Sequence, residues 1–282
     1  MPIANMRALL EQARSEGRAV GAFSVSGIEM IRGVLRAAQA LDTPVILQVA
    51  ESRLPAAPLP LLGSAMLAAA REAAVPVAVH LDHGLTLPCI RQALEMGFTS
   101  VMYDGSALPM EENIENTLRV IEMAKPFGAA VEAEIGRVGR TEEGGEQQAV
   151  CARPEDCLLF AKSTGVDALA VAIGNAHGVY TGAPKLRFDV LESLQGRGMP
   201  PLVLHGGTGI SDEDFRRCIR LGVRKINIAT ASFQAAAQAA RAQDEYFAML
   251  GAMADAVAQV AERHIRVFGA KQPGYTAACT RS

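Results

Sequence analysis

Eight short apolar segments, rich in Val, Ile and Ala, alternate along this chain with segments of helical periodicity. Strands that are apolar along their whole length are typical of a parallel sheet covered by helices. Eight such units predict a single-domain α/β fold, a (β/α)8 TIM barrel over residues 1–268, rather than an open doubly wound sheet. The predicted strands are 20–25, 44–50, 76–81, 99–104, 129–135, 168–174, 201–206 and 225–229.

Two segments between predicted strands illustrate the helical pattern. LPCIRQALEMG (87–97) and DEDFRRCIRLG (212–222) are apolar at helical spacing and end on a glycine, as a helix C-cap does. Residues 137–155 are too polar and glycine-rich for a helix or strand, and their position after a strand predicts a mobile lid over an active site. Residues 269–282 show no periodicity, so we expect a flexible C-terminal tail.

The charge and composition of the 282 residues exclude several partners. A net charge of -3 provides no basic field for nucleic acid or an anionic membrane surface, so an anionic ligand needs a local site. The N-terminal segment is charged where a secretory signal would be apolar, and charged residues interrupt every apolar stretch well before membrane-spanning length. The five cysteines are odd in number and lack metal-type spacing. These features predict a cytoplasmic protein with reduced thiols.

Three of the five histidines stand at the ends of predicted strands. His83, His177 and His205 lie in the phrases HLDHG, GNAHG and LHGGTG. The carboxyl ends of barrel strands meet at one rim, and three imidazoles with one open position form a catalytic zinc site. His80 alternates to the other face of its strand and is expected to pack or to support the site. His264, in the terminal helical segment, is expected at the surface or at an interface.

Acidic residues accompany these histidines. Asp82 precedes the first histidine, and at a barrel rim both side chains can reach the mouth. Asp104 ends another strand, although it could instead cap the following helix together with Ser106. Glu132 and Glu134 are two residues apart in a strand and therefore point the same way. A buried carboxylate is costly unless it is paired or binds a metal, so these acids favour a metal site.

Glycine-rich turns follow the second and third histidines. The segments GNAHGVYTG and HGGTGIS allow backbone N–H groups to approach a phosphate, and the last strands of such barrels often end in a phosphate site. KINIAT adds Asn227 and Thr230 beside the second turn. Together with the histidines, these turns predict a site for a phosphorylated carbonyl compound.

Six motifs carry a family resemblance. HLDHG, VMYDGS, VEAEIGRVG, VAIGNAHGVY, LVLHGGTGIS and KINIAT, in this order and spacing, resemble the class II, zinc-dependent ketose-bisphosphate aldolases. The similarity runs from residue 21 to about residue 270, and the shorter fructose-bisphosphate and tagatose-bisphosphate aldolases look nearest.

The resemblance implies a reaction and roles for individual residues. It implies metal-dependent cleavage of a ketose 1,6-bisphosphate to dihydroxyacetone phosphate and an aldehyde such as glyceraldehyde 3-phosphate, by a homodimer or homotetramer. His83, His177 and His205 would hold Zn²⁺, Asp104 and Glu134 would form an alternative or second divalent metal position, and Asp82 would be the proton-transfer acid and base. The residues implied to bind the substrate phosphate, with a monovalent cation (Na⁺ or K⁺) nearby, are Gly178, Gly206, Gly207, Thr208, Asn227, Ile228, Ala229 and Thr230.

Departures from the family pattern concern the far end of the substrate. Ser24 stands where the family often has asparagine, Arg140 replaces a usual glycine in a short loop, and the segment 51–60 is unusual. Ala229 and Ala231 stand where some members carry acidic residues. Binding of dihydroxyacetone phosphate is therefore better supported than the identity of the aldehyde.

Three alternatives to a ketose-bisphosphate aldolase remain open at this point. The first is an aldolase of the same family that acts on a different ketose 1-phosphate and a non-phosphorylated aldehyde. The second is a Schiff-base aldolase that uses Lys225, a lysine well placed within a strand. The third is a non-catalytic protein that binds a sugar phosphate, against which the intact Asp82 argues.

Overall fold

A closed barrel of eight parallel strands forms the centre of the computed structural model, which describes residues 3–140, 149–180 and 182–269. Each strand pairs with its neighbour in sequence, and the first pairs with the last, so all eight predicted strands and the barrel are confirmed. A two-stranded pair, β6 (Gly139–Arg140) and β8 (Ala176–His177), lies outside the barrel sheet. The barrel strands are β1 Val20–Ser24, β2 Val45–Ala50, β3 Val77–Gly84, β4 Ser100–Tyr103, β5 Ala130–Ile135, β7 Ala168–Val171, β9 Leu202–Leu204 and β10 Val223–Ile228.

Helices follow the barrel strands and cover the sheet. The two helical segments singled out in the sequence form α4 and α8, and Gly97 ends the first with a left-handed φ of 100°. In the second, the Ser211 side chain accepts a hydrogen bond from Asp214 N, and acidic residues occupy the first turn. The helices of the described residues are α1 Met6–Ser15, α2 Ile28–Ala40, α3 Leu59–Glu72, α4 Leu87–Met96, α5 Met110–Ala124, α6 Pro154–Thr164, α7 Phe188–Leu194, α8 Asp212–Arg220, α9 Thr230–Arg241 and α10 Tyr246–Val267.

The interior of the barrel is divided into an apolar layer and a polar layer. Helix α1 packs Met6 and Leu10 against small inward-facing residues such as Ala22 and Ala168, which form one buried cluster. Nearer the carboxyl ends of the strands, the inward positions are polar and include the site described below. Because α1 and the apolar layer fill one end, the polar end of the barrel lies where the strands end.

The position of His264 differs from the prediction that it lies at the surface or at an interface. Its side chain is buried rather than at the surface, and it packs against the rings of Phe215 and Phe268. Nδ1 donates to the carbonyl of Val260 at 2.7 Å, and burial lowers the pKa of the imidazole. His264 lies on the side of α10 that meets Phe215 and Phe268, where its imidazole is a core residue.

Two predicted segments extend beyond the described residues. Residues 141–148 of the predicted lid and residues 270–282 of the predicted tail lie outside them, so both remain predictions. The base of the 137–155 segment is described, and there Arg137 and Val150 pair through two backbone hydrogen bonds of 2.8 and 2.9 Å. Within the described ranges, no helix combines the length and hydropathy needed to cross a membrane.

Candidate active site

The three predicted histidine ligands converge at the carboxyl ends of the strands. His83 lies near the end of β3, His177 lies in β8, and His205 directly follows β9. Their ring centroids are 4.6 to 5.9 Å apart, and one nitrogen from each ring lies within 4.8 Å of the others. His83 adopts a φ of 42°, a rare conformation for a non-glycine residue that turns the chain at the rim. The three rings come together as the sequence predicts, but His177 reaches the site from β8, outside the barrel sheet, and not from the end of β7.

Carboxylates fix the orientation of two of the rings. His83 Nδ1 lies 2.8 Å from Asp104 Oδ2, and its Nε2 is buried with no hydrogen-bond partner in the described part of the chain. His205 Nε2 lies 2.8 Å from Glu132 Oε1. A histidine that donates one N–H to a carboxylate presents the other nitrogen as a metal ligand. The unpartnered Nε2 of His83 therefore fits a metal ligand better than a packed core residue.

A second group of potential ligands shares one histidine with the first. His83, Asp104 and Glu134 also bring three ligand atoms within 4.8 Å of one another. Glu134 Oε2 lies 3.2 Å from His205 Nδ1, and Ser106 donates to Asp104 from both N and Oγ. The Ser106 bonds stabilise a local turn, whereas α5 begins at Met110 without a side-chain cap, so Asp104 does not cap the following helix. The two groups share His83, so the second group describes an alternative or second position for a metal ion.

Two neighbouring glutamates make His205 strongly basic. Burial would lower the pKa of His205, but the hydrogen bond to Glu132 and the nearby carboxylate of Glu134 outweigh it and raise the pKa to about 10. The two glutamates thus supply a negative environment at the nitrogens of His205, as expected where a cation is to be bound.

Asp82 lies beside the histidines and is held by two amides. Gln48 Nε2 donates to Asp82 Oδ2 and Asn227 Nδ2 donates to Oδ1, each at 3.1 Å. Burial would raise the pKa of Asp82, but the charges of His83 and Lys225 lower it overall. These contacts hold Asp82 as an ionised carboxylate at the wall of the cleft, which suits a group that accepts a proton.

Asp82 marks the junction of two lobes of the cleft. The first lobe, which we call the glycine lobe, is lined by Gln48, Asp82, His177, Gly178, Gly206, Gly207, Thr208, Asn227, Ala229 and Thr230. Seven of the eight substrate-binding residues implied by the resemblance are in this lining, whereas Ile228 is fully buried in β10 and absent from it.

Close backbone packing explains the glycines of that lobe. Gly206 has a φ of 62°, and a Cβ there would lie 2.1 Å from the carbonyl oxygen of Ala176. A Cβ on Gly207 would lie 2.8 Å from the carbonyl oxygen of Asn227. Thr208 Oγ1 accepts from Ala231 N at 3.0 Å and thereby joins the turn to the first residues of α9. The arrangement places a glycine turn beside a helix N-terminus, which favours binding of an anion.

The second lobe, which we call the arginine lobe, extends from Asp82 toward the segment after β2. Its lining combines polar residues with apolar side chains, and Arg53 is the one Lys or Arg among the described residues that form it. The segment 51–60, unusual in sequence, begins with a 3-10 turn at Glu51–Arg53. Glu51 Oε2 accepts from the backbone N–H groups of Leu85 and Thr86, which ties this turn to the end of β3.

Lys225 belongs to a buried network rather than to the surface of the cleft. Its side chain is fully buried, and Nζ lies 2.9 Å from Glu132 Oε2 and donates to Asn227 Oδ1 at 2.8 Å. A Schiff-base lysine must be reachable by substrate and deprotonated. The burial and pairing of Lys225 argue against that alternative.

The sequence interpretation did not identify several residues that support the active site. Gln48 contacts both Asp82 and Ser24 Oγ, at 3.1 and 3.2 Å, and a polar residue in an otherwise apolar strand was a visible signal for it. Asn175 donates to the carbonyl of His205 at 2.9 Å, and the Tyr180 hydroxyl donates to that of Gly206 at 3.0 Å. His80, expected to pack or to support, is fully buried and lies 2.9 Å from Ser100 Oγ through Nδ1.

A family model decides the relationship that the motifs suggested. The model for fructose-bisphosphate aldolase class-II matches residues 4–273. The chain belongs to the class-II fructose-bisphosphate aldolase family. Its relatives include a sulfofructosephosphate aldolase from Alkalicoccus urumqiensis, 38% identical over 280 residues that cover 96% of this chain and 98% of the relative. A probable fructose-bisphosphate aldolase from Bacillus subtilis (strain 168) is 38% identical over 95% of this chain and 98% of its own.

A solved structure supports the same assignment to the aldolase family. The YdjI aldolase from Escherichia coli K12 superimposes with a TM-score of 0.86 and 34% identity, over 95% of this chain and 98% of that one. The barrel and the family resemblance inferred from the sequence are both confirmed.

Proposed function

We propose that this aldolase catalyses the reversible, metal-dependent cleavage of a ketose phosphate to dihydroxyacetone phosphate and an aldehyde. The observation that carries the proposal is the placement of three imidazoles, with donor atoms within 4.8 Å of one another, directly beside the amide-held carboxylate of Asp82. This combination supplies a metal and a proton acceptor at one point of the cleft.

The metal site fits zinc. His83, His177 and His205 are the ligand set, and an all-imidazole triad with room for a further ligand is typical of catalytic zinc. A divalent ion there would act as a Lewis acid on the substrate carbonyl and stabilise the negative charge that develops when the C3–C4 bond breaks. The group of His83, Asp104 and Glu134 is the proposed alternative position for the ion.

Asp82 is the proposed acid and base. In the cleavage direction it would take the proton of the C4 hydroxyl, and in condensation it would return that proton to the new hydroxyl oxygen. Hydrogen bonds from Gln48 and Asn227 hold its oxygens in place. Closure of the 137–152 segment over the cleft, which would exclude water from the reacting carbanion-like species, stays part of the proposal.

The glycine lobe is the proposed site of the dihydroxyacetone phosphate half. Gly178, Gly206, Gly207, Thr208 and the first residues of α9 surround it. Backbone N–H groups and hydroxyls bind phosphate without any need for net positive charge on the protein. A monovalent cation, Na⁺ or K⁺, is proposed to accompany that phosphate.

The arginine lobe is the proposed site of the aldehyde half. Arg53 lines it, and a guanidinium matches the oxygens of a tetrahedral anion. We therefore favour a ketose that carries a second anionic group, such as fructose or tagatose 1,6-bisphosphate. The name of the relative from Alkalicoccus urumqiensis adds sulfofructose phosphate to the substrates to be tested. A cytoplasmic homodimer or homotetramer completes the proposal.

The experiment is to incubate the zinc-loaded protein with dihydroxyacetone phosphate and a panel of aldehydes and to identify the products. The panel should include glyceraldehyde 3-phosphate, a sulfonated analogue and uncharged aldehydes. We expect condensation products, with anionic aldehydes preferred. Tight binding of dihydroxyacetone phosphate without product from any aldehyde would instead establish a non-catalytic sugar-phosphate-binding protein.

A further inference from the structure

Lys225 lies between the proposed metal ligand His205 and the proposed acid and base, Asp82. Its side chain extends from β10 into the polar layer of the barrel and has no exposed surface. Nζ contacts Glu132 Oε2 at 2.9 Å and Asn227 Oδ1 at 2.8 Å. A buried ammonium is costly, and its replacement by an apolar residue is often neutral or stabilising when the partner is replaced as well. We therefore expect Lys225 to have a role besides stabilising the fold.

One branch of contacts from Lys225 leads to a metal ligand. Glu132 uses Oε2 for Lys225 and Oε1 for His205 Nε2, the latter at 2.8 Å. The ammonium holds the carboxylate at Oε2, so that Oε1 faces the imidazole. Because Glu132 then accepts a hydrogen bond from Nε2–H, His205 presents Nδ1 toward the metal position.

The other branch leads to the proposed acid and base. An ammonium can donate but cannot accept a hydrogen bond, so the amide of Asn227 must turn its oxygen toward Lys225. The amide nitrogen is then left to face Asp82 Oδ1, to which it donates at 3.1 Å. Without the ammonium, the amide oxygen loses its donor, and the amide that holds Asp82 is fixed at one end instead of two.

We propose that Lys225 is a positioning residue that sets two hydrogen-bond donors at once: the Nε2 proton of His205, through Glu132, and the Asn227 amide that holds Asp82. The proposal rests on the function proposed above, because it assigns His205 to the metal and Asp82 to proton transfer. It gives one buried cation control of both metal affinity and the turnover step.

The test compares Lys225→Met, which keeps the length of the side chain and removes its charge, with Glu132→Gln and Asn227→Leu. Zinc affinity is measured by competition with a chromophoric chelator, independently of any substrate. Glu132→Gln should lower zinc affinity, because the single amide oxygen cannot accept from both Lys225 Nζ and His205 Nε2. Asn227→Leu should lower kcat with zinc affinity unchanged. Lys225→Met should do both, each by about tenfold or more, with a smaller change in KM. Lys162→Met, the same substitution at an exposed helix position, is the matched control and should change neither.

A second variant covers the case in which Lys225→Met does not fold. Lys225→Met combined with Glu132→Gln removes both buried charges, so no unpaired carboxylate is left in the core. This double variant should keep the loss of kcat, because the Asn227 amide then lacks the bond that fixes its oxygen. Wild-type zinc affinity and wild-type kcat in a folded Lys225 variant would overturn the proposal. An inactive but zinc-binding wild-type protein would overturn the proposed function instead, and the two failures are therefore distinguishable.

Discussion

His83 Nδ1 lies 2.8 Å from Asp104 Oδ2, so the other nitrogen of this imidazole, which has no hydrogen-bond partner among the described residues, is left for the proposed metal. Asp104 is itself fixed, because Ser106 Oγ donates to its other oxygen at 2.7 Å. Burial would raise the pKa of Asp104, but the hydrogen bond to His83 lowers it well below its usual range. With the ion at the three histidines, Asp104 acts by orienting a ligand.

Asp104→Ala should lower zinc affinity by about 10 to 100-fold, because His83 then loses the acceptor that fixes its ring. Asp104→Asn should retain most of the affinity, since an amide oxygen can accept the same N–H. Chelator competition on the purified variants measures both effects. Equal loss in the two variants would show that Asp104 binds the ion directly and that the alternative metal position is the occupied one.

Asp82→Ala should retain zinc and lose turnover. The substitution removes the group proposed to move the proton of the C4 hydroxyl, a contribution of about 10² to 10⁴-fold in rate. Zinc content by atomic absorption and steady-state cleavage rates give the two readouts on one preparation. Full activity of Asp82→Ala would show that another group carries the proton.

The barrel was predictable from the sequence because its signals are local. Each of the eight strands is a short apolar run between turn residues, and Gly97 ends a helix where a left-handed residue is needed. His264 was misjudged for the opposite reason. Its burial depends on which side of α10 meets Phe215 and Phe268, a tertiary packing fact that the helical spacing leaves open.

The site was predictable where its residues stand at strand ends, and less so where they act through others. The three histidines and Asp82 share one rim because parallel strands end together. The roles of Gln48 and Lys225 depend on contacts between distant strands, such as the bond from Lys225 in β10 to Glu132 in β5. A sequence shows that these polar residues are inside the barrel, but not which partner each one has.

Gly206→Ala should destabilise the protein by about 2 to 4 kcal/mol, because the new Cβ would collide with the Ala176 carbonyl and the backbone has a left-handed φ of 62°. Gly182→Ala is the control, since a Cβ there meets nothing within 4 Å. Chemical denaturation of both variants gives the comparison. If the two variants are equally stable, the close approach of Gly206 to the Ala176 carbonyl is not required for folding.

Arg53→Gln should weaken the use of substrates with an anionic far end. We expect kcat/KM for a ketose bisphosphate to fall by about tenfold or more, while that for the matching ketose 1-phosphate changes little, because only the former loses a charge-assisted bond. Arg36→Gln, at an exposed helix position paired with Asp255, serves as the control. An equal effect on both substrates would remove Arg53 from recognition of the aldehyde half.

Dependence of cleavage on the metal tests the central claim most directly. The protein is stripped with a strong chelator, assayed for release of dihydroxyacetone phosphate from a ketose bisphosphate, and then titrated with zinc. We predict that activity disappears with the metal and returns in proportion to zinc, with saturation at about one ion per chain. An undiminished cleavage rate in the exhaustively stripped protein would contradict the assignment of His83, His177 and His205 as the catalytic metal site.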